Sequence, residues 1–225
     1  MLLHIIGRIV PMSTLIVTRT DSGVSHDFQD EPVLAEGDTL VNVQYSSLNY
    51  KDAMALEGDK GVMRIDPLVP GIDVVGTVEE TTDERLKPGQ LVAAFGDGLG
   101  EFRHGGYTTQ QRVNGEATIP VPERFSASDA AAIGTAGYTA AICVNQLRTH
   151  GTTEGHILVT GATGGVGSIA VQLLKSAGYE VTAVTGRVDS QSDYLTRLGA
   201  DHILDRSQLS ETGRPLQKLS LIHIS

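Results

Sequence analysis

Short apolar runs separated by turn residues dominate the first half of the chain. Residues 12 to about 125 contain β-like segments between frequent Gly, Pro and Asp residues, and turns such as Val69-Pro70-Gly71 recur. This pattern favours an antiparallel, barrel-like domain. The predicted strands are Thr14–Thr18, Thr39–Tyr45, Val74–Glu79, Leu91–Phe95 and Tyr107–Val113.

An alanine-rich helical segment follows this region. Ser126 and Asp129 supply candidate N-cap side chains for a helix. The segment from Gly134 to Tyr138 interrupts that helix, and a second helix is predicted to run to about Leu147.

From His156 onward the apolar pattern alternates between strand and helix. A strand at Ile157–Val159 and the helix after it are followed by a strand at Val181–Thr185, a helix at Ser192–Leu198 and a strand at His202–Leu204. This α/β alternation predicts the first half of a doubly wound parallel sheet.

A glycine cluster joins the first strand of this half to its helix. Gly161, Gly164, Gly165 and Gly167 follow the strand, and apolar residues then recur at helical spacing from Val166. Aligned with the G-x-G-x-x-G fingerprint, the turn has alanine at the first position and keeps the second and third glycines. Strand, glycine turn and helix in this order predict a pyrophosphate site, and therefore a nicotinamide cofactor.

The end of the second strand distinguishes between the two nicotinamide cofactors. NAD-binding proteins place an acidic residue there on the ribose 2′-hydroxyl, whereas this chain reads Thr185-Gly186-Arg187 and has no acid before Asp189. A guanidinium group suits a 2′-phosphate. The pattern favours NADPH, although Arg187 in a solvated loop is the alternative.

Composition limits the classes of partner. The formal net charge of −10 argues against nucleic acid or an anionic membrane as the main partner. Cys143 is the single cysteine, so no intrachain disulfide forms, and we expect a reducing compartment such as the cytoplasm.

Both ends of the chain differ from the remainder. Residues 1–11 are apolar yet lack the features of a signal peptide, so we interpret them as a non-native extension. Residues 219–225 resemble translated adapter sequence from sequencing-library preparation. The predicted domains are therefore residues 12–125 and 126–218.

The chain carries four longer motifs in this order: SSLNYKDAMA (46–55), PGIDVVGTV (70–78), IGTAGYTAAICV (133–144) and VTGATGGVGS (159–168). Together they resemble the zinc-free, quinone-oxidoreductase-like side of the medium-chain dehydrogenase/reductase superfamily, and most closely its acryloyl-CoA reductase branch. The resemblance implies a GroES-like β-barrel domain, a Rossmann domain, NADPH and a homodimer. Members of this branch continue further, so we expect a C-terminally truncated chain of low activity.

The same comparison indicates that catalytic zinc is absent. Zinc alcohol dehydrogenases carry Gly-His-Glu where this chain has Gly71-Ile72-Asp73, and they need cysteine ligands that it lacks. The seven histidines are scattered. We therefore predict no metal site.

The resemblance also implies site residues. Asn49 and Asp73 are expected as polar active-site residues, and Tyr50 as a contact of the nicotinamide that could also supply a proton, with water as the alternative donor. Taken singly, Asn49 could instead shape a turn, Tyr50 could pack in the barrel, and Lys51 and Asp52 could form a surface pair. The remaining cofactor contacts implied are Thr163, Gly164, Gly165, Val166, Thr185, Gly186, Arg187 and, beside the nicotinamide, Thr135.

Three functions remain open at this point. The resemblance favours an NADPH-dependent reduction of an activated C=C bond, with acryloyl-CoA converted to propanoyl-CoA. A quinone is the alternative small-molecule acceptor. A non-catalytic, crystallin-like NADPH-binding protein is the alternative from another class.

Overall fold

The computed structural model describes residues 14–151, 154–210 and 222–224. The chain divides into two compact units, Met1–Thr135 and Ala136–Ser225. Among the described residues, no helix combines the length and apolar character needed to cross a membrane.

The first unit is built on antiparallel strands. Strands β1 and β2 form a hairpin, and the other five form a sheet in the order β6-β3-β4-β5-β7. The elements are β1 (Thr14–Thr20), β2 (Gly23–Gln29), β3 (Thr39–Tyr45), α1 (Tyr50–Leu56), β4 (Asp73–Thr81), β5 (Leu91–Phe95), β6 (Gln110–Val113), a 3₁₀ turn (Gly115–Ala117) and β7 (Thr118–Pro120).

Two small apolar clusters lie around this sheet. One buries Val41, Val74, Val92 and Leu99. The other packs Val75 and Ala93 against Ala130 and Ala131, which lie in the first turns of helix α2 (Ala127–Thr149). The sheet is therefore covered by the helix at the point where β4 begins, which is where Asp73 lies.

The second unit is a parallel sheet with helices. Its strand order is β10-β9-β8-β11, and all three pairings are parallel. The core is built from β-branched and aliphatic side chains of the strands together with Ala170, Val171 and Leu174 of the first crossover helix. The elements are β8 (His156–Val159), α3 (Gly165–Ser176), β9 (Glu180–Thr185), α4 (Val188–Leu198), β10 (His202–Asp205), α5 (Ser207–Ser210) and β11 (Ile222–Ile224).

The α/β class and the strand–helix alternation are confirmed. Three strands were missed: β2 because its sequence GVSHDFQ is mostly polar, β7 because it has only 3 residues, and β11 because residues 219–225 were interpreted as adapter sequence. The predicted strand Tyr107–Val113 begins later, at Gln110, because the backbone of Tyr107 bonds to Leu15 and Pro70 instead. Helix α4 begins at Val188, four residues before the predicted start.

The predictions for the two ends of the chain fall mostly on residues that the structure does not describe. Residues 1–11 lie outside the described residues, and so do most of residues 219–225. Ile222–Ile224 pairs with β8 in parallel. The domain limits, the extension and the adapter-derived tail remain predictions.

Helix α3 offers a test of the parallel sheet's core. Leu174 is fully buried, whereas its neighbour Leu173 is only partly buried. We expect Leu174→Ala to lower the free energy of unfolding by about 2–5 kcal/mol, because it leaves a cavity under β8 and β9. Leu173→Ala should cost less. Urea unfolding of both variants measures the difference, and equal losses would contradict this packing.

Candidate active site

Asn49 occupies the position before helix α1. Its backbone N–H donates to Asp52 Oδ2 at 2.7 Å, the arrangement in which an acidic residue in the first turn satisfies the N-cap amide. Asp52 Oδ1 accepts the N–H of Ile72 at 2.9 Å. One buried carboxylate therefore joins the start of α1 to the residue before Asp73.

This arrangement corrects one of the alternatives above. Asp52 is fully buried and does not pair with Lys51. The Lys51 ammonium instead bonds Glu101 Oε1 at 2.9 Å. The interpretation of residues 51 and 52 as a surface pair is wrong because the helix turns Asp52 inward.

Asp73 is the second buried carboxylate of this unit. Its Oδ2 accepts hydrogen bonds from the Ser47 hydroxyl and from Asn49 Nδ2, the latter at 3.1 Å. Thr135 adds two donors, its backbone N–H to Oδ2 at 3.1 Å and its hydroxyl to Oδ1 at 2.5 Å. Four donors from two other segments surround one carboxylate, as burial of a charged group requires.

Gly134 makes the last two of these contacts possible. It breaks the helical geometry of α2 with φ 50° and ψ −165°, which confirms the predicted interruption. A Cβ atom at this position would lie 2.6 Å from Ser47 Oγ and 2.7 Å from Asp73 Oδ2. Because only glycine tolerates both the conformation and the close approach, the kink brings Thr135 onto Asp73.

Burial changes the acid–base properties of two groups here. Desolvation raises the pKa of Asp52 above its usual value, with Asp73 adding repulsion. Desolvation and the two nearby carboxylates also raise the pKa of Tyr107, so that its hydroxyl stays protonated. That hydroxyl donates to the carbonyl of Ser47 at 3.3 Å.

The three residues expected at the catalytic centre, Asn49, Tyr50 and Asp73, differ in how deeply they are buried and in what they contact. Asn49 is half-buried and directs its amide at buried Asp73, so these two are in contact. Tyr50 is 84% exposed at the first position of α1. The alternative that Tyr50 packs in the barrel is therefore wrong, and its catalytic role remains a prediction.

The glycine turn of the second unit has the geometry expected for binding a phosphate. Gly164 and Gly165 are exposed at the start of α3, where the first amide groups of a helix lack intrahelical acceptors. A Cβ at Gly167 would lie 2.4 Å from the Gly161 carbonyl oxygen, so the third glycine lets the helix pack on the turn. Ala162, at the first position, is buried in the core.

The ends of β9 and β10 meet this turn. Arg187 Nη2 donates to Thr163 Oγ1 at 3.0 Å, and the Arg187 N–H donates to Thr185 Oγ1 at 3.1 Å. A Cβ on Gly186 would lie 3.3 Å from the guanidinium of Arg206, the residue after β10. Two guanidinium groups, that of Arg187 itself and that of Arg206, therefore lie at the segment of residues 185–187.

Sequence reasoning missed Ser47, Asp52, Tyr107 and Arg206. Ser47 lies inside the motif SSLNYKDAMA, so the motif itself contained a signal. Arg206 comes directly after β10, and Arg187 comes two residues after β9. The carboxyl ends of parallel strands share one edge of the sheet, so this placement was a signal. Asp52 and Tyr107 had no local signal, because only the fold buries them.

The raised pKa of Asp52 predicts a pH dependence. A protonated Asp52 favours the folded state, and this contribution is lost as the pH rises above 3.8, the ordinary value, through the folded-state pKa. Asp52→Asn cannot ionise. Urea unfolding at several pH values gives the free energy of unfolding of the wild type and of Asp52→Asn. The wild-type value minus the variant value should fall as the pH rises from 3.8 through the folded-state pKa.

Val74→Ala is a control at a buried position without charge, and its free energy of unfolding should depend on pH as that of the wild type does. A wild-type minus Asp52→Asn difference that rises with pH would contradict the raised pKa.

Two family models match this chain. The alcohol dehydrogenase GroES-like domain matches residues 35–146, and the NAD dependent epimerase/dehydratase family matches residues 157–219. The second match covers only the strand–helix half, a dinucleotide-binding unit that unrelated enzymes share.

Individual relatives match across both units. Acrylyl-CoA reductase AcuI of Ruegeria pomeroyi is 48% identical over 187 residues, which cover 82% of this chain and 56% of that protein. The yhdH oxidoreductase of Salmonella enterica, solved with NADP, is 43% identical with a TM-score of 0.87, over 92% of this chain and 64% of that one. The Bacillus subtilis protein yhfP, solved with NAD bound, is 37% identical with a TM-score of 0.86, over the same shares of 92% and 64%.

The chain thus spans 56% to 64% of the length of these relatives. The matches cover both the antiparallel unit with its buried carboxylates and the parallel unit with its glycine turn at residues 161–167. The chain therefore belongs to the medium-chain dehydrogenase/reductase superfamily, on its quinone-oxidoreductase-like and acryloyl-CoA reductase-like side.

Proposed function

We propose that this protein is an NADPH-dependent reductase of an activated C=C bond, with acryloyl-CoA as the favoured acceptor. The observation that carries the cofactor assignment is the bond between Arg187 and Thr163, which joins the end of β9 to the phosphate turn. The acceptor rests on the similarity to the Ruegeria acrylyl-CoA reductase.

The residues at the glycine turn fit a dinucleotide. Exposed glycine backbone at residues 164–165 leaves room for a pyrophosphate beside the helix amides, and the Gly167 contact leaves no space for a side chain. No acid stands at residues 185–187, and Arg187 and Arg206 supply positive charge there. This set suits a 2′-phosphate better than a free 2′-hydroxyl. On this ground we favour NADP over NAD, the two cofactors bound in the relatives' structures.

The reaction places two demands on the protein's own residues. Bound NADPH supplies a hydride to the β-carbon of the enoyl thioester. Negative charge then develops on the thioester oxygen, and the α-carbon must take up a proton. The protein therefore needs a hydrogen-bond donor for that oxygen and a source for that proton.

Asn49 is the proposed donor to the thioester oxygen. Its amide nitrogen donates to Asp73 at 3.1 Å and also interacts with Asp52, so the plane of the amide is fixed. The proposal assigns one of its two amide hydrogens to the thioester oxygen when substrate is bound. Asp73 is fully buried and accepts four hydrogen bonds. We therefore assign it a positioning role. Tyr50 or water supplies the proton, and the exposure of Tyr50 leaves both routes open.

Three further assignments belong to the proposal. The homodimer is carried over from the family resemblance. The cytoplasm follows from the single cysteine. Asn49 and Asp73 held in contact argue for catalysis over a purely NADPH-binding role.

The assay that tests this function measures NADPH oxidation with acryloyl-CoA and with a quinone. Asn49→Ala should lower kcat with acryloyl-CoA by about 10²–10³-fold, as removal of one oxyanion donor does. Asp73→Asn should lower kcat because it loosens the Asn49 amide. Asn42→Ala, an exposed asparagine of β3, is the matched control and should leave kcat unchanged. Faster turnover of the quinone would reverse the choice of acceptor, and unchanged kcat in Asn49→Ala would remove the donor role.

Cofactor preference is tested by the affinity for the two reduced nucleotides. Loss of a charge-assisted hydrogen bond costs about 1.5–3 kcal/mol, so Arg187→Ala should raise the Kd for NADPH roughly ten- to a hundredfold. The Kd for NADH should change little, because NADH lacks the 2′-phosphate. Arg197→Ala, at the other end of α4, removes the same charge and should change neither value. Fluorescence titration measures the Kd of each variant for NADPH and for NADH. An equal loss of affinity for both nucleotides in Arg187→Ala would contradict the assignment.

A further inference from the structure

Three potential metal ligands meet at the amino-terminal ends of the parallel strands. His156 is the first residue of β8, Glu180 the first of β9 and His202 the first of β10. One ligand atom from each side chain can be chosen so that all three lie within 4.8 Å of one another. The phosphate turn follows the opposite, carboxyl end of β8.

The register of the sheet explains why these side chains meet. His156 pairs directly with Glu180, and His202 pairs with Thr182, two residues further along β9. Residues two apart on a strand share a face, so all four side chains lie on the same face of the sheet. The two histidines lie on β8 and β10, on either side of β9, so their strands are about 9.6 Å apart, twice the spacing of neighbouring strands. Both side chains lean over β9, which brings their ring centroids to 5.3 Å from one another.

The cluster is partly held together already. His202 Nε2 lies 2.6 Å from Glu180 Oε1, and the rings of His156 and His202 are 5.3 Å apart. His156 Nε2 lies 2.5 Å from Thr182 Oγ1. The side chains of Glu180 and His202 remain 55% and 54% exposed, so an ion from solvent can reach them.

We propose that His156, Glu180 and His202 form a binding site for a divalent transition-metal ion of the zinc type. Two imidazoles and one carboxylate are a ligand set that Zn²⁺ takes in proteins, with water as the fourth ligand. In a tetrahedral site, ligand atoms about 2.1 Å from the ion lie about 3.4 Å from one another. The proposal requires side-chain rotations that bring the three ligand atoms from within 4.8 Å of one another to this separation.

Neighbouring groups fit a supporting role. Asp201, adjacent to His202, accepts the Val181 N–H at 2.9 Å and the Lys175 ammonium at 2.5 Å. The Thr182 hydroxyl beside His156 can orient that ring once the ion is bound, as outer partners of metal-bound histidines do.

This site departs from the expectation that the chain binds no metal. That expectation rested on the missing ligands of the zinc alcohol dehydrogenases and on the scatter of histidines along the sequence. Here 46 positions separate the two histidines, and the strand register joins them. It is independent of the proposed reductase function, since none of its residues belongs to the Asp73 cluster or to the phosphate turn.

Isothermal titration of the metal-free chain with Zn²⁺ tests the proposal. We expect one ion per chain, and at least a tenfold loss of affinity in His156→Gln and in His202→Gln. His150→Gln is the matched control, because His150 is an exposed histidine of the same unit that contacts Gln146. Its affinity should equal that of the wild type. Mg²⁺ should not bind at comparable concentration, because imidazole ligands do not suit it.

Two further measurements protect the test against misfolded variants. The circular dichroism spectrum and the Tm of each variant in chelator should match those of the wild type, whereas a rise in Tm with Zn²⁺ should appear only in the wild type and in His150→Gln. Co²⁺ should give visible absorption typical of tetrahedral nitrogen and oxygen ligation, and Glu180→Gln should alter it. Three results would each overturn the proposal. They are a wild type that does not bind Zn²⁺, a stoichiometry of half an ion per chain, and folded His156→Gln and His202→Gln variants whose Zn²⁺ affinity equals that of the wild type.

Discussion

The buried carboxylate of Asp73 is the constraint on which the first unit depends. A charged group removed from water must be surrounded by donors, because each unmet hydrogen bond costs free energy. Those donors come from Ser47 and Asn49, which lie 26 and 24 positions before Asp73, and from Thr135, which lies 62 positions after it. The segment before α1 and the kink of α2 therefore have to converge on the start of β4.

This constraint explains several local features that have no separate cause. Gly134 is required because a larger residue would collide with Ser47 and Asp73. Asp52 is required because it fixes the backbone of Asn49 and of Ile72 on either side of the same carboxylate. The result is an asparagine amide held in one orientation, which is what a hydrogen-bond donor to a transient negative charge needs.

How much the sequence could predict depends on the range of the interactions. Features set by neighbouring residues were predicted well, including β3, β5, the strand, glycine turn and helix at residues 156–176, and the interruption near Gly134. Features set by contacts between distant segments were not. The burial of Asp52 and Tyr107 depends on how α1 and the residue 105–107 loop pack, and the strand character of polar β2 depends on its pairing with β1. The placement of Arg206 and of the cluster of His156, Glu180 and His202 was predictable in part. The strands that carry these residues were predicted, but the register between the strands was not.

In the parallel unit, the register of the strands determines which polar side chains meet at the strand ends. Parallel strands bring residues at corresponding strand ends together, so a single pairing pattern assembles Thr163, Arg187 and Arg206 at one edge and two histidines with a glutamate at the other. At the first edge, the guanidinium of Arg187 already has a hydroxyl partner in Thr163. A neutral hydroxyl is a weaker acceptor than a phosphate oxygen, so exchanging one for the other gains a charge-assisted bond while the arginine is already ordered. If the proposed cofactor site is right, the contact that orients Arg187 in the free protein would lower the conformational cost of binding a phosphorylated ribose there.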